Sequence, residues 1–346
     1  MKTRLCVIAN DGVLNPATRL RIAQFVPAFE DAGYTVETFY VPYSDGVREW
    51  SMRELYTTLR ASDVVFVQRA LSWPLLRLLQ LAGRPFVFDF DDALHYIRQR
   101  QYSAALAPTS MRDRAVVLYR TIVRGGRFYS SRKRMLDSAI RNAAAVVVVP
   151  TSVAVDEFPM RKHGNVVPVR IGWIGVPSNL FHLRLLESVF ATLTARYGDR
   201  IRLVIVSNVG LDDLPIDTEF VQWSLETESD VTASFDIGIM PLQDDFFSRG
   251  KCSFKAIYCM GHGVPVVISP VGMNTELVEN GVNGFLADGD DEWVDALARL
   301  IDDSGLRATM GAAARATIEE RYSSNRIFAL LRGLLAGITQ KTAPIR

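Results

Sequence analysis

The sequence is poor in the residues that metal centres and disulfide frameworks require. Only 3 cysteines and 4 histidines occur in 346 residues. Cys6, Cys252 and Cys259 are irregularly spaced, odd in number and form neither a CxxC pair nor a zinc-binding pattern. Reduced thiols in a cytoplasmic protein are the simplest interpretation, and we expect no metal site.

Long apolar runs and an excess of charge are also missing. No segment approaches the roughly 18 consecutive apolar residues of a spanning helix, and the apolar run near Met1 is too short for a signal peptide. The formal net charge is +1, so nothing draws the whole chain to nucleic acid. Neither half has a GxGxxG motif after its first strand, which argues against a dinucleotide-dependent dehydrogenase.

The sequence does contain two successive series of short apolar strands alternating with helices. This pattern predicts an α/β protein of two doubly wound, Rossmann-like domains with parallel sheets, which face each other across a cleft. We expect domains at 1–165 and 166–325, with a carboxyl-terminal helix in 326–346 that packs back on the first domain. Such sheets bind ligands beyond the carboxyl ends of their strands, so the loops that follow strands are the candidates.

Three cations lie within seven residues in one of these loops. Arg249, Lys251 and Lys255 stand beside a strand end and near a predicted helix start, where proteins hold diphosphates. Lys251 and Lys255 would share one helical face if the helix began early enough. The alternative is a solvated basic surface.

Two further loops of the second domain could assist. Gly175 would let a ligand approach the backbone, and Ser178 or Asn179 could cap a long helix predicted over Leu180–Tyr197; an ordinary strand-to-helix turn is the alternative. The backbone of Gly272, Met273, Asn274 and Thr275 could bind phosphate or a sugar hydroxyl. Glu276 could bind sugar hydroxyls or merely cap a helix.

In the first domain, carboxylates gather at the end of one strand. Asp89, Asp91 and Asp92, with His95 nearby, would be costly there unless they bind something. A metal site, contacts to substrate hydroxyls or general-base work, and a structural role all remain open. We favour a substrate role for Asp91 and helix capping for Asp92.

The loop after the first strand holds Gly12, Asn15, Arg19 and Arg21. The two arginines lie near a predicted helix start, which suggests either an anionic ligand or a salt bridge to the aspartates. The composition of the basic segment Arg112–Arg141 indicates contact with an anionic membrane or a phosphorylated substrate, or else an exposed helical face.

The stretch from Asp236 to Leu286 carries a resemblance to a known family. It is similar to the donor-binding signature of the GT-B glycosyltransferases of retaining family 4, "glycosyl transferases group 1", in the segments DIGIMPL, RGKCSFKAIYCMGHGVPVVISPVG and TELVENGVNGFL. The earlier segment IGWIGVPSN is similar to the opening loop of that family's second domain. The RGKC stretch is typical of one subset of that family. The first domain matches only in general layout.

The resemblance implies a GT-B fold and a sugar donor that is a nucleotide diphosphosugar, with a hydroxyl group as acceptor. It implies retention of configuration, no cofactor and no essential metal. Arg249, Lys251 and Lys255 would bind the diphosphate, the Gly272–Thr275 backbone and Glu276 would lie near the donor, and Asp91 would stand close to the transferred sugar. The implied catalytic residues are Asp91, Lys255 and Arg249. The first domain would bind the acceptor, and its implied acceptor-binding residues are Gly12, Asn15, Arg19, Arg21, Asp89 and His95. The protein would be cytoplasmic, or peripheral on the inner face of the membrane.

The chain also departs from the family pattern. Gly250 and Tyr258 occupy the places of two glutamates, one of which usually grips the ribose. Pro177-Ser-Asn replaces a Gly-Arg…Lys pair, and we expect the Arg249–Lys255 cluster to compensate. A GT-B nucleotide-sugar epimerase and a non-catalytic nucleotide-sugar-binding protein therefore remain alternatives.

Overall fold

The computed structural model describes residues 2–41, 50–69, 73–90, 115–119 and 145–341. Of the predicted site residues, Asp91 and His95 lie outside these ranges, as does Asp92. The basic segment Arg112–Arg141 also lies outside them, apart from residues 115–119. Within the described ranges, no helix is both long enough and apolar enough to cross a bilayer.

Backbone contacts divide the chain into two compact units. The first comprises Met1–Ser152 with Ser324–Arg346, and the second comprises Val153–Ser323. This division falls before the boundary expected at 165/166, because the connecting segment packs into the second unit. Val153 and Val155 are buried in its core, and the Phe158 ring stacks on His262 with centroids 4.2 Å apart.

The first unit is a six-stranded parallel sheet with the order β2-β1-β3-β4-β5-β6. Strands β3 and β4 are buried along their whole length, as expected of continuous apolar strands in a sheet covered on both faces. The strands are β1 (Thr3–Asn10), β2 (Tyr34–Val41), β3 (Val64–Gln68), β4 (Phe86–Phe90), β5 (Ala115–Tyr119) and β6 (Ala145–Val147).

Within the described part of the first unit, four α-helices precede β5, and one helix returns to it near the end of the chain. The four are α1 (Pro16–Arg21), α2 (Val26–Asp31), α3 (Met52–Ala61) and α4 (Trp73–Ala82). The returning helix is α12 (Ser324–Lys341), whose Ile327, Leu331 and Leu335 are buried in the cluster that contains β1.

The second unit repeats the architecture, with the strand order β12-β11-β10-β7-β8-β9 and every pairing parallel. The chain runs from β7 to β8 on one side and later returns to β10 on the other. The strand order therefore reverses between β7 and β10, where open α/β sheets bind ligands. The strands are β7 (Val169–Ile174), β8 (Ile201–Ser207), β9 (Thr218–Gln222), β10 (Ile237–Met240), β11 (Val266–Ile268) and β12 (Gly284–Leu286).

The helices of the second unit cover both faces of this sheet, and the predicted α/β class with two parallel sheets is confirmed. Its helices are α5 (Glu187–Tyr197), α6 (Glu228–Ala233), α7 (Phe246–Arg249), α8 (Phe254–Gly261), α9 (Asn274–Leu277), α10 (Asp290–Asp302) and α11 (Ser304–Arg321).

The helix predicted over Leu180–Tyr197 was wrong in its first half. Pro177–Leu186 forms 3₁₀ turns, and the α-helix α5 begins only at Glu187. Leu180, Leu183 and Leu186 are buried at a spacing of three residues. Side chains three apart lie on one line in a 3₁₀ helix, so this geometry buries all three leucines.

Candidate functional site

The candidate site lies at the carboxyl edge of the second unit's sheet, around its switch point. Gly175 follows β7, the segment 249–255 lies in the connection after β10, and Gly272 follows β11. Because β7, β10 and β11 are neighbours in the sheet, these three loops meet at one edge. The structure thus brings together the predicted donor-binding residues of the second unit.

Lys255 lies across the turn that follows β7. It stands in the first turn of α8, and a Cβ atom placed on Gly175 would be only 2.5 Å from its Cε. Its ammonium lies 5.3 Å from the centre of the Trp173 ring. A cation near a helix start is opposed by the helix dipole, and an anion bound there would gain from both the cation and the dipole.

Lys251 reaches the same turn by a different route. Its Nζ donates to Asn179 Oδ1 at 3.1 Å and lies 4.6 Å from the centre of the Phe247 ring. Since α8 begins at Phe254, the condition under which Lys251 and Lys255 would share a helical face is not met. The two lysine side chains nevertheless both reach the segment after β7, Lys251 through its ammonium and Lys255 through its Cε.

Asn179 does not cap a helix, as had been one prediction for it. Val176 holds the capping position before the 3₁₀ segment Pro177–Leu186 and makes no side-chain capping bond. The side-chain amide oxygen of Asn179 instead accepts a hydrogen bond from Lys251. Ser178 is exposed at the same turn and caps no helix either. Asn179 therefore links the β7 turn to the cation-rich segment, and a donor contact by Ser178 or Asn179 stays a prediction.

Arg249 is paired with a carboxylate that sequence reasoning missed. Its Nε and Nη2 donate to the two carboxylate oxygens of Asp244 at 2.5 and 2.6 Å. The ion pair lowers the pKa of the Asp244 carboxyl below its usual range. Both side chains are about half exposed, at 48% and 55%, so a solvent-borne anion can approach this guanidinium. The sequence signal was an aspartate five residues upstream.

The turn after β11 packs directly on the backbone of Arg249. Gly272 has a positive φ of 58°, and a Cβ there would lie 2.4 Å from the Arg249 carbonyl oxygen. Two backbone hydrogen bonds lie on either side of Gly272: the N–H of Val271 donates to the Ser269 carbonyl at 2.8 Å, and the N–H of Asn274 donates to the Val271 carbonyl at 3.3 Å. Glycine at 272 is therefore required by both its conformation and its close neighbour.

Residues 273–276 are divided between the interior and the surface. The side chains of Met273 and Asn274 are buried, whereas those of Thr275 and Glu276 are exposed. The Thr275 hydroxyl donates to the Gly272 carbonyl at 2.8 Å. The predicted donor contacts of this backbone and of Glu276 stay predictions.

Gly250 and Tyr258 take no part in a carboxylate site. Both are buried, and the Tyr258 ring packs 5.0 Å from Phe158 and 4.9 Å from His262 between ring centroids. A buried aromatic residue thus stands at 258, where the resemblance led us to expect a glutamate.

In the first unit, Arg21 and Asp89 form a buried ion pair. Arg21 Nε donates to Asp89 Oδ2 at 3.1 Å, its Nη2 donates to Asp89 Oδ1, and its Nη1 donates to the Val149 carbonyl at 2.7 Å. The salt bridge is thus the alternative that the structure realises for Arg21. Burial favours a structural role for both residues, and their predicted acceptor contacts stay predictions.

The other first-unit residues also belong to the loop and helix after β1. The Asn15 side chain accepts from the N–H of Ala17 at 3.0 Å and caps α1. Arg19 lies with Arg21 in the last turn of α1 rather than at a helix start, a favourable place for cations. Gly12 and Asn15 are half-buried, and acceptor binding by this loop stays a prediction.

Among the described residues, no group of three His, Cys, Asp or Glu side chains is arranged to hold a metal ion. Independence from metal ions nevertheless stays a prediction, because Asp91, Asp92 and His95 lie outside the described ranges.

The region that contains this site is similar in sequence to known proteins. Residues 168–303 match the family model described as Glycosyl transferases group 1. Two D-inositol 3-phosphate glycosyltransferases are similar over shorter stretches. That of Salinispora arenicola is 36% identical over 95 residues, or 26% of this chain, and that of Xylanimonas cellulosilytica is 33% identical over 108 residues, or 31%. The matched stretches span only 20% and 24% of those relatives.

Solved structures match along nearly the whole chain at low identity. Sucrose-phosphate synthase from Thermosynechococcus elongatus and a glycosyltransferase from Rickettsia africae each share 14% identity over 99% of this chain and 100% of theirs, with TM-scores of 0.66 and 0.68. Anabaena HepE in complex with UDP and glucose shares 16% over 97% of this chain and 100% of its own, with a TM-score of 0.61. At such identities these matches establish the fold. The chain has the GT-B fold, and residues 168–303 are similar to Glycosyl transferases group 1.

Proposed function

We propose that the protein is a retaining glycosyltransferase that moves a sugar from a nucleotide diphosphosugar to a hydroxyl acceptor. The observation that carries this proposal is the approach of Lys251 and Lys255 to the turn after β7. This turn lies at the switch point of the second unit and inside the stretch that matches the glycosyltransferase model.

The diphosphate is the part of the donor that this site suits best. A diphosphate carries at least two negative charges, and charge-assisted hydrogen bonds from Lys and Arg offset the loss of its hydration. Lys251, Lys255 and Arg249 would supply these bonds, with Gly175 giving room at the β7 turn. The Gly272–Thr275 backbone and Glu276 would contact the phosphate or the donor sugar.

The same cations would serve the chemical step. As the bond between the anomeric carbon and the diphosphate breaks, negative charge develops on the leaving group, and fixed cations stabilise it. The acceptor oxygen would then bond to the oxocarbenium-like carbon on the face that the leaving group has vacated, which retains configuration. Asp91 would position the sugar or assist removal of the acceptor proton. Cations would do here what a metal ion does elsewhere, so we propose activity without metal or cofactor.

The relatives support a nucleotide sugar as donor without identifying it. The HepE structure contains UDP and glucose, and the curated relatives are named for transfer to D-inositol 3-phosphate. Peripheral membrane contact through Arg112–Arg141 stays a prediction, because most of that segment lies outside the described residues.

One observation keeps a non-catalytic alternative open. The place of the family's second glutamate is filled by the buried Tyr258, so one usual donor contact is missing. A protein that only binds a nucleotide sugar would tolerate this loss. Donor turnover separates the two functions.

The test measures sugar transfer by Lys255→Ala and Asp91→Asn against wild type. The donor is chosen from a panel of UDP-, GDP- and ADP-sugars, with the released diphosphate and the sugar product both analysed. Lys162→Ala, which removes an exposed lysine elsewhere in the same unit, serves as the charge-matched control.

We expect both site variants to lose most of the transfer activity and the control to retain it. Unchanged rates in both would overturn the assignment of the site. An altered sugar formed from donor alone would indicate an epimerase, and donor binding without any turnover would indicate a binding protein.

A further inference from the structure

Ser253, two residues before Lys255, has an unusual backbone conformation. Its φ and ψ are 50° and 25°, in the left-handed region, and the residue is 1% exposed. L-residues other than glycine rarely adopt this conformation, and such residues often mark positions where function requires it.

Ser253 also occupies the capping position of α8 without capping it. A serine there ordinarily accepts a hydrogen bond from an N–H group of the first helical turn. Here the Ser253 side chain makes no such bond, and its hydroxyl donates instead to Asn274 Oδ1 at 2.6 Å. The hydroxyl is therefore turned away from the helix start that carries Lys255.

Asn274 is the centre of a buried network that joins three loops. It is fully buried, and its amide nitrogen donates to the Ser269 carbonyl at 2.8 Å. The Ser269 hydroxyl in turn accepts from the Leu242 N–H at 3.0 Å. The network thus connects the start of α8 with the ends of β10 and β11, beside the Gly272 turn.

We propose that Ser253 and Asn274 are positioning residues for diphosphate binding. Asn274 holds the Ser253 hydroxyl, which fixes the left-handed turn and thereby the place where α8 begins. The Lys255 side chain then extends across Gly175, and the Ser253 side chain does not cover the N–H groups of the first turn of α8. This inference rests on the proposed function and adds the residues that keep its cation in place.

A purely structural serine would not account for both features. The left-handed backbone of Ser253 and the missing capping hydrogen bond each cost free energy. A serine that capped the helix would have an extended backbone and would avoid both costs. The geometry keeps them at the one helix start that carries Lys255. The consequence should appear in recognition of the diphosphate rather than of the rest of the nucleotide.

The test compares two substitutions with a matched control. Ser253→Ala removes the hydroxyl, and Ser253→Gly removes it while easing the left-handed conformation. Ser248→Ala is the control, because Ser248 lies nearby in helix α7, is also 1% exposed, and its hydroxyl has no hydrogen-bond partner among the described residues.

The ligands are the diphosphate, from UDP, GDP and ADP, that binds wild type most tightly, and the corresponding monophosphate. Calorimetric titration gives both dissociation constants. We expect both Ser253 variants to weaken diphosphate binding about tenfold, with little change for the monophosphate, and Ser248→Ala to match wild type.

An unchanged ratio of the two dissociation constants in both Ser253 variants would overturn the inference. Equal weakening for both ligands would do so as well, since that is the signature of general disruption. If wild type binds none of the three diphosphates, the proposed function itself fails.

Discussion

The side chain of Lys255 occupies the space that a side chain at position 175 would need. A Cβ on Gly175 would lie 2.5 Å from Lys255 Cε and 2.8 Å from the Trp173 ring. The first turn after β7 and the first turn of α8 therefore fit together only because residue 175 is glycine. This contact joins the two loops that flank the switch point.

Gly175→Ala should weaken nucleoside diphosphate binding without unfolding the protein. The added methyl group would force the flexible Lys255 side chain aside, which displaces its ammonium, and the Trp173 ring would also have to shift. We expect at least about a tenfold increase in the dissociation constant, the scale of one lost charge-assisted hydrogen bond. Gly164→Ala is the control, because a Cβ there has no neighbour within 4 Å. Equal affinities for the two variants would contradict the role assigned to Lys255.

Asp244→Asn should strengthen diphosphate binding. Asp244 accepts hydrogen bonds from Nε and Nη2, which form one edge of the Arg249 guanidinium, so an incoming diphosphate competes with this carboxylate. Removing its charge should raise affinity by about twofold to fivefold, as expected for an exposed ion pair. Asp217→Asn, which breaks the exposed pair with Arg202, should leave binding unchanged. Weaker binding by Asp244→Asn would show that the carboxylate positions Arg249 rather than competing for it.

Much of this site follows from the sequence alone. Parallel strands buried on both faces form near-continuous apolar runs, which is why their positions and the loops after them were predictable. The cations at 249, 251 and 255 were predicted as one cluster because charge next to a strand end is conspicuous. Their meeting with Gly175 follows from the strand order that these runs suggest.

The details that set the geometry depend on residues distant in sequence. The start of α8 at Phe254 depends on Ser253, whose hydroxyl is held by Asn274. No residue near Ser253 in the sequence indicates that Asn274 is its partner. The buried pair of Arg21 and Asp89 likewise joins residues 68 positions apart. Local pattern predicts elements and loops well, but it does not determine which polar side chains meet inside the fold.

Acidification should destabilise the second unit through His262. This imidazole is buried, and burial lowers its pKa to about 4, with a smaller lowering from Arg315; the Tyr258 carbonyl and Asp230 act in the opposite direction. The unfolded chain, with a pKa of about 6.5, binds a proton below that pH that the folded state does not bind. Stability is therefore highest above about pH 6.5 and falls by about 3 kcal/mol as the pH drops to about 4.

The measurement is the free energy of unfolding by urea, for wild type and His262→Asn, across this pH range. The variant should be less stable at neutral pH, because it loses ring packing on Phe158, and its stability should fall less on acidification. Parallel pH profiles for the two proteins would show that His262 does not cause the effect.

Two helix-interior glycines should respond to alanine in opposite directions. A Cβ on Gly311 of α11 would lie 2.1 Å from the Gly263 carbonyl oxygen, whereas one on Gly333 of α12 would meet nothing within 4 Å. Gly311→Ala should cost about 2 to 3 kcal/mol through overpacking, and Gly333→Ala should gain about 0.5 to 1 kcal/mol from helix propensity. Thermal unfolding of both variants tests this, and shifts of the same sign would contradict it.

We propose that the cations after β10 bind the diphosphate of a sugar donor. The decisive measurement is calorimetric titration of the best-binding nucleoside diphosphate into wild type, Lys255→Ala, Lys251→Ala and the control Lys162→Ala. We expect affinities at least about tenfold weaker for Lys255→Ala and Lys251→Ala, and an unchanged affinity for Lys162→Ala. Wild-type affinity in both site variants would contradict it.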